Sequence, residues 1–217
     1  MSSHHIIRDK QEPALIIANG EACSLDLVEQ LLEWSPTVVV LDGALERVIS
    51  LGIKVDVWLG DFDHAQAADY NDYPLKKVHT PDQNLTDLEK AFEYLLEEGY
   101  PAANVVWASG KRMDHTLNNF HSLVRYGRKL KIVFFDDYST SYLLPPTFEK
   151  WYPAGTPLSL MPYGEAFQVK SSGLVYDLNH PELRLGTQTS SSNEAREDGI
   201  VKISYESGAL ILMECHD

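Results

Sequence analysis

Six short runs, ALIIA (14–18), TVVVL (37–41), VDVWL (55–59), KKVHT (76–80), NVVWA (104–108) and KIVFF (131–135), alternate with amphipathic stretches as far as about residue 136. No other feature of the chain limits its fold as much. A strand with one solvated face alternates apolar and polar residues, whereas a strand covered on both faces is apolar nearly throughout, as most of these are. The intervening stretches carry helical punctuation. SLDLVEQLLEW (24–34) has Ser24 as its N-cap, ALERVISLG (44–52) stops on Gly52, and TDLEKAFEYLLEEG (86–99) opens on the capping box Thr86/Glu89 and stops on Gly99. A further helix follows Asp114, with Leu117, Phe120, Leu123 and Val124 at core-facing spacing. Strands alternating with helices predict a mostly parallel α/β/α sheet.

Beyond about residue 137 the pattern changes. TSYLLPP, TPLSLMPYG, FQVKSSG, ELRLGTQTS, GIVKISY and ALILMEC are short, β-rich and divided by Pro, Gly and Ser, and VKISYESGALILM (201–213) reads as a hairpin. The expected organisation is an α/β domain over 1–140 followed by a smaller all-β sandwich over 141–217, the boundary lying between Asp137 and Pro146.

A 44% hydrophobic chain of 217 residues has ample material for a core and excludes disorder. Its 18 basic against 32 acidic residues, net −14, argue against a nucleic-acid partner, which needs clustered cations. An acidic enzyme that handles a polyphosphate must bring metal ions. The two cysteines, Cys23 and Cys215, make no C-x-x-C, and no apolar run reaches the length of a membrane span. A soluble, cytoplasmic protein without a membrane partner is expected.

The chemistry is expected where the strands end, because parallel sheets bind ligands at the carboxyl ends of their strands. TVVVL runs into Asp42 and Gly43, and VDVWL into Gly60, Asp61 and Asp63. Extended backbone would put Asp61 and Asp63 on one side, about 6.6 Å apart between Cα atoms, and Phe62 on the other. After KKVHT come Gln83, Asn84 and Asp87, and after NVVWA comes SGKRMDHTLNN. Each feature alone has an ordinary explanation: D-x-D as a solvated turn, Asp87 as an acid complementing a helix dipole, the last segment as a capped helix start. Together, Asp42, Asp61/Asp63, Asp87 and Asp114 bring carboxylates to four successive strand ends, where they repel unless cations hold them. Oxygen ligands without a His/Cys cluster favour Mg²⁺, which binds through one or two carboxylates plus substrate phosphates. A phosphorylated cosubstrate follows, with Lys111 and Arg112 to balance its remaining charge. Neither G-x-x-x-x-G-K-[ST] nor G-x-G-x-x-G occurs, so P-loop and dinucleotide readings fail.

LDGALERVISLGIKVDVWLGDFDH, PDQNLTDLEKAF, GKRMDHTLNN and SSGLVYDLNHPELRLGTQTSSSNEA, in this order and spacing, resemble the thiamin pyrophosphokinases over about residues 37–212. The resemblance implies transfer of the terminal diphosphate of ATP to the hydroxyl of thiamine with release of AMP, by a homodimer whose active sites lie between subunits. It implies Asp42, Asp61, Asp63 and Asp87 as metal and diphosphate-handling acids. It implies Gln83, Arg112, Asp114, His115, Thr116 and Asn118 on the ATP side, and Ser190, Ser192 and Asn193 on the thiamine side. Ala44 stands where the family has a second glycine, predicting helical dihedrals there. His64 replaces a serine and Tyr176 a tryptophan. Two other classes use comparable residues: a Mg²⁺-dependent nucleotidyl- or glycosyltransferase with a D-x-D, and a non-catalytic nucleotide- or thiamine-binding module.

Overall fold

The first strand, β1 (Ala14–Ile17), is buried along its whole length, as are β2 (Val38–Leu41) and β3 (Val57–Gly60). These are the continuous apolar runs of the sequence, here in a computed structural model that describes residues 12–62, 70 and 73–216. The chain forms two compact units, the first running through Lys111 with 129–131, the second holding Arg112–Arg128 and the chain from Ile132.

In the first unit β4 (Lys76–His79) and β5 (Ala102–Val106) complete a sheet in the order β4-β3-β2-β1-β5. Every pairing in it is parallel; Leu15, for example, lies opposite Val38 on one side and Asn104 on the other. β4 is the edge, with Lys76 and His79 exposed, which is why its run was the least apolar. Helices α1 (Leu25–Leu32), α2 (Leu45–Ser50) and α3 (Asp87–Glu97) form as their caps predict. Ser24 Oγ accepts the Leu27 N–H, and in α3 the Thr86 and Glu89 side chains each accept the other's backbone N–H. α3 packs on β2 and β3 and buries Leu88, Phe92 and Leu95, each stabilising by roughly 1.5–3 kcal/mol.

The second unit holds α4 (Met113–Tyr126) and eight strands: β6 (Lys131–Phe135), β7 (Ser139–Leu143), β8 (Thr147–Tyr152), β9 (Pro157–Ser172), β10 (Asn179–Arg184), β11 (Ser190–Glu194), β12 (Gly199–Ser204) and β13 (Ser207–Cys215). The helix begins at Met113, so Asp114 lies inside its first turn, and Leu117, expected in the core, is 60% exposed. It shares the uncovered first turns with Met113, while Leu123, further along, is fully buried. β9 is the spine of the β-rich part: Leu160 faces Leu212 of β13 on one edge and Ser190 of β11 on the other. Leu158, Leu160, Val169, Leu183, Leu210 and Leu212 make its core.

The expected hairpin at 201–213 does not form. β12 and β13 follow each other along β9, at Ser204–Lys202 and at Ser207–Glu214, and do not pair together. The link is pinned elsewhere. Tyr205 is buried, its N–H donates to Pro146 O at 3.0 Å and its hydroxyl to Leu144 O at 2.6 Å, so the chain is held to its neighbours across the position where it would have to reverse.

One polar cluster interrupts this unit. Glu214 accepts from Lys150 Nζ at 2.7 and 2.9 Å, from the Tyr142 hydroxyl at 2.6 Å and from the Tyr152 hydroxyl. Burial raises the Glu214 pKa, but the hydrogen bonds from Lys150 and the two tyrosines outweigh it and hold the carboxyl below its ordinary value; burial pushes both tyrosines up. A carboxyl depressed in the folded state contributes stability above its unfolded pKa, about 4.3, and loses it as pH falls through the folded value. Urea midpoints measured from pH 6 to pH 3 should therefore fall more steeply for the wild type than for Glu214→Gln.

Candidate active site

In the parallel sheet the ends of β1 to β5 lie on one side, and the acids after β2 and β3 are brought together there. β2 runs directly into a single 3₁₀ turn, Asp42–Ala44, in which Asp42 is only 6% exposed. Gly60 closes β3 against it: a Cβ on Gly60 would sit 2.4 Å from Asp42 Cβ, closer than any side chain tolerates. Gly43 is equally confined, its missing Cβ position lying 2.2 Å from Asn19 Nδ2 at the end of β1. Ala44 has φ −101° and ψ −16°, the helical conformation expected of a residue that replaces glycine without strain.

Asp61 follows Gly60, and its carboxylate accepts from Gln83 Nε2 at 3.0 Å. Gln83 sits in the loop after β4, which is shaped by Asp82 Oδ1 accepting the Asn84 N–H at 2.8 Å. Thr80, at the end of β4, donates its N–H to Gly60 O at 2.9 Å, and its hydroxyl is buried with no hydrogen-bond partner among the described residues. The extended reading of D-x-D does not hold, because β3 stops at Gly60 and Phe62 has φ +62°. The left-handed residue turns the chain, and the Phe62 ring packs on Trp58 at 4.3 Å and on His79 at 5.8 Å between centroids. Asp63 and His64 lie outside the described residues.

Asp87 takes the first position of α3 and pairs with Lys90 at 3.2 Å, whose side chain is 5% exposed. The carboxylate thus balances a buried ammonium as well as the helix dipole. For Mg²⁺ the fit rests on the donor set: Asp42 and Asp61 offer hard oxygens on adjacent strand ends. Among the described residues no three His, Cys, Asp or Glu side chains close on one point.

Within the second unit, the start of α4 gathers the polar residues of SGKRMDHTLNN. Arg112 Nε donates to Asp114 Oδ1 at 3.1 Å, which holds the Asp114 carboxyl down to about 2 despite its exposure. His115 donates its N–H to the same carboxylate at 3.0 Å, and the Thr116 hydroxyl donates to Arg112 O at 3.3 Å. Asn118 Nδ2 is buried with no hydrogen-bond partner among the described residues. In the same unit β11 carries Ser190, Ser192 and Asn193. Ser190 and Asn193 are 8% and 3% exposed, and Ser192 has φ +55°, its N–H donating to Ser159 Oγ at 3.0 Å. Asn193 holds the backbone of Tyr176 at both ends, accepting its N–H at 3.1 Å and donating to its carbonyl at 2.8 Å. That grip leaves the Tyr176 ring 71% exposed.

Asn19, Thr80 and Arg47 were not identified from the sequence. Gly43, directly after the TVVVL strand, was the local sign that a backbone turns tightly there.

Two family models match the chain: "Thiamin pyrophosphokinase, catalytic domain" over residues 28–134 and "Thiamin pyrophosphokinase, vitamin B1 binding domain" over 147–210. Thiamin pyrophosphokinase 1 of Caenorhabditis elegans is 27% identical over 205 residues, covering 87% of this chain and 84% of the relative. Thiamine pyrophosphokinase 2 of Arabidopsis thaliana is 31% identical over 179 residues, 75% of this chain and 66% of the relative. Among solved structures, yeast thiamin pyrophosphokinase superposes with a TM-score of 0.82 at 14% identity, over 97% of this chain and 88% of the other. The Bacillus subtilis thiamine pyrophosphokinase gives 0.79 at 23% identity, over 95% and 100%. The two structures share the fold, and the two family models together span most of the sequence: the chain belongs to the thiamin pyrophosphokinase family.

Proposed function

We propose that the strand-end acids of the first unit are the diphosphate-transfer site of this chain, an ATP-dependent diphosphotransferase that converts thiamine and ATP to thiamine diphosphate and AMP. One observation carries the reading: Asp42 packs on Gly60 while the next residue, Asp61, is held by Gln83 at 3.0 Å. Two carboxylates on neighbouring strand ends, one of them oriented by a neutral amide, offer hard oxygens to a cation.

Asp61, Asp63 and Asp87, with Asp42, would hold Mg²⁺, and the ion would supply positive charge to offset the negative charge that develops in diphosphate transfer. Gln83 keeps the Asp61 carboxylate from rotating away. The thiamine oxygen forms a bond to the β-phosphorus as the bond from that phosphorus to the α-phosphate oxygen breaks, and AMP leaves with the oxygen. The alcohol proton passes to Asp42 or Asp87; a strong base is not required in a loose phosphoryl transfer. Arg112, Asp114, His115, Thr116 and Asn118 serve ATP, the last through its buried Nδ2. Ser190, Ser192 and Asn193 serve thiamine. The division into a catalytic part over 1–140 and a thiamine-binding part over 141–217, a homodimer with sites at its interface, and a cytoplasmic location complete the proposal. No helix among the described residues is long and apolar enough to cross a membrane.

Asn193→Ala would free Tyr176, whose exposed ring offers a face to a cationic flat ligand. The thiamine KM should rise about tenfold, equivalent to about 1.4 kcal/mol, with the ATP KM within twofold. The reaction itself is tested by incubating the protein with Mg²⁺, ATP and thiamine and resolving the products. AMP and thiamine diphosphate in equal amounts are expected. ADP or inorganic diphosphate would point to other transfer chemistry, such as a nucleotidyl- or glycosyltransferase, and tight binding without turnover to a binding module.

A further inference from the structure

In the order β4-β3-β2-β1-β5 the sheet reverses direction at β1, so the loops after β1 and β5 flank its switch point, where open α/β sheets take their ligands. Here those two loops are stitched together. Gly20 donates its N–H to Trp107 O at 2.7 Å and Glu21 to Ser109 O at 2.8 Å. A Cβ on Gly20 would lie 2.3 Å from the carbonyl oxygens of both Trp107 and Ser109, and one on Gly110 would lie 2.5 Å from Glu21 Cβ. Lys111 Nζ adds a bond to Asn19 O at 3.2 Å.

One side chain reaches both loops from a third. Arg47, on α2 just beyond the Asp42–Ala44 turn, donates from Nη2 to Gly20 O at 3.0 Å. Its guanidinium also lies 4.1 Å over the ring of Trp107. Trp107 is 2% exposed and has φ +58°, and Lys111 has φ +52°. Left-handed non-glycine residues persist only where their surroundings over-determine them, and they gather at ligand sites. A planar cation that stacks and hydrogen-bonds at once is what arginine supplies and lysine does not.

We propose that Arg47 is a positioning residue for the nucleotide half of the site, locking the β1 and β5 loops into one preformed wall beside Asp42. This rests on the diphosphate-transfer reading above. It assigns Arg47 no contact with the reacting atoms. Its loss makes the loops order only when ATP arrives, so part of the binding free energy goes into that ordering.

The test uses Arg47→Met and Arg47→Lys in the full chain, with KM for ATP and for thiamine, kcat and the melting temperature measured for each. Arg47→Met is expected to raise the ATP KM at least tenfold while the thiamine KM stays within twofold. Arg47→Lys, which keeps the charge but loses the stack, should fall between Met and wild type. An ATP KM within twofold of wild type in both variants overturns the proposal, as does an equal rise in both KM values, which marks a general loss of structure. Should Arg47→Met not fold, Trp107→Phe, which keeps a smaller face for the cation, and Arg47→Lys carry the same test: an ATP-selective rise supports it, and none overturns it. Absence of AMP formation by the wild type would sink the transferase reading instead, and is visible before any variant is made.

Discussion

Asp61→Asn is expected to fold as the wild type does and to lose roughly a hundred- to thousandfold in kcat, the range seen when one preorganised electrostatic contact to a developing charge is removed. The substitution keeps the shape and one acceptor oxygen of the side chain, so the Gln83 contact and the packing of Asp42 on Gly60 persist. What disappears is a charge. The melting temperature should move by less than 2 °C, roughly the effect of about 0.5 kcal/mol in a chain of this size. Asp63→Asn should behave alike, while Gln83→Ala, which unfixes Asp61, should cost about tenfold, as the loss of outer contacts to metal ligands does. Near-normal turnover of Asp61→Asn at saturating Mg²⁺ would remove the acid from the reaction.

Glu214→Leu is the counterpart, large in stability and small in activity. The leucine occupies similar space but leaves the Tyr142 and Tyr152 hydroxyls without the acceptor they share and Lys150 without its partner. An unsatisfied buried donor costs about 1–3 kcal/mol, so the loss should be about 3 kcal/mol, lowering the melting temperature by roughly 6–12 °C. Turnover at 25 °C should stay within twofold. A variant as stable as the wild type would show that this cluster could be replaced by apolar packing, as some buried ion networks can.

The two variants fall in parts of the chain that were unequally legible. In the first unit the sequence states its own elements. Apolarity along β1, β2 and β3 reported burial on both faces, and Thr86 with Glu89 announced α3 to the residue, because local hydrogen bonds set helix ends. In the second unit the period-2 pattern identified strands but not their partners. β12 and β13 looked like a hairpin because they are consecutive, whereas the 16-residue β9, which takes both along one edge, is specified by contacts distant in sequence. Leu117 has helical spacing, yet nothing in spacing says how far a helix projects beyond what covers it.

The site divides in the same way. The positions of Asp42, Asp61 and Gln83 at strand ends were legible because apolar runs mark where the strands stop, and the recurrence of acids at successive ends, not any one of them, drew notice. Phe62 at φ +62° was not, since a β-propensity residue gives no warning that it turns the chain. Nor was Asn193 as the holder of Tyr176, since a hydrogen bond across 17 residues leaves no trace in a local pattern. Arg47 carries no mark in the sequence that separates it from other helix residues; its distances to Gly20 and Trp107 distinguish it.

The claim that strand-end carboxylates hold the cation is tested most directly by Mn²⁺, a spectroscopic substitute for Mg²⁺, titrated against the protein in the presence of ATP and followed by electron paramagnetic resonance. The wild type should immobilise the ion, with Asp61→Asn and Asp63→Asn each weakening its binding at least tenfold while remaining folded. Binding of equal strength in the wild type and both variants would contradict the account.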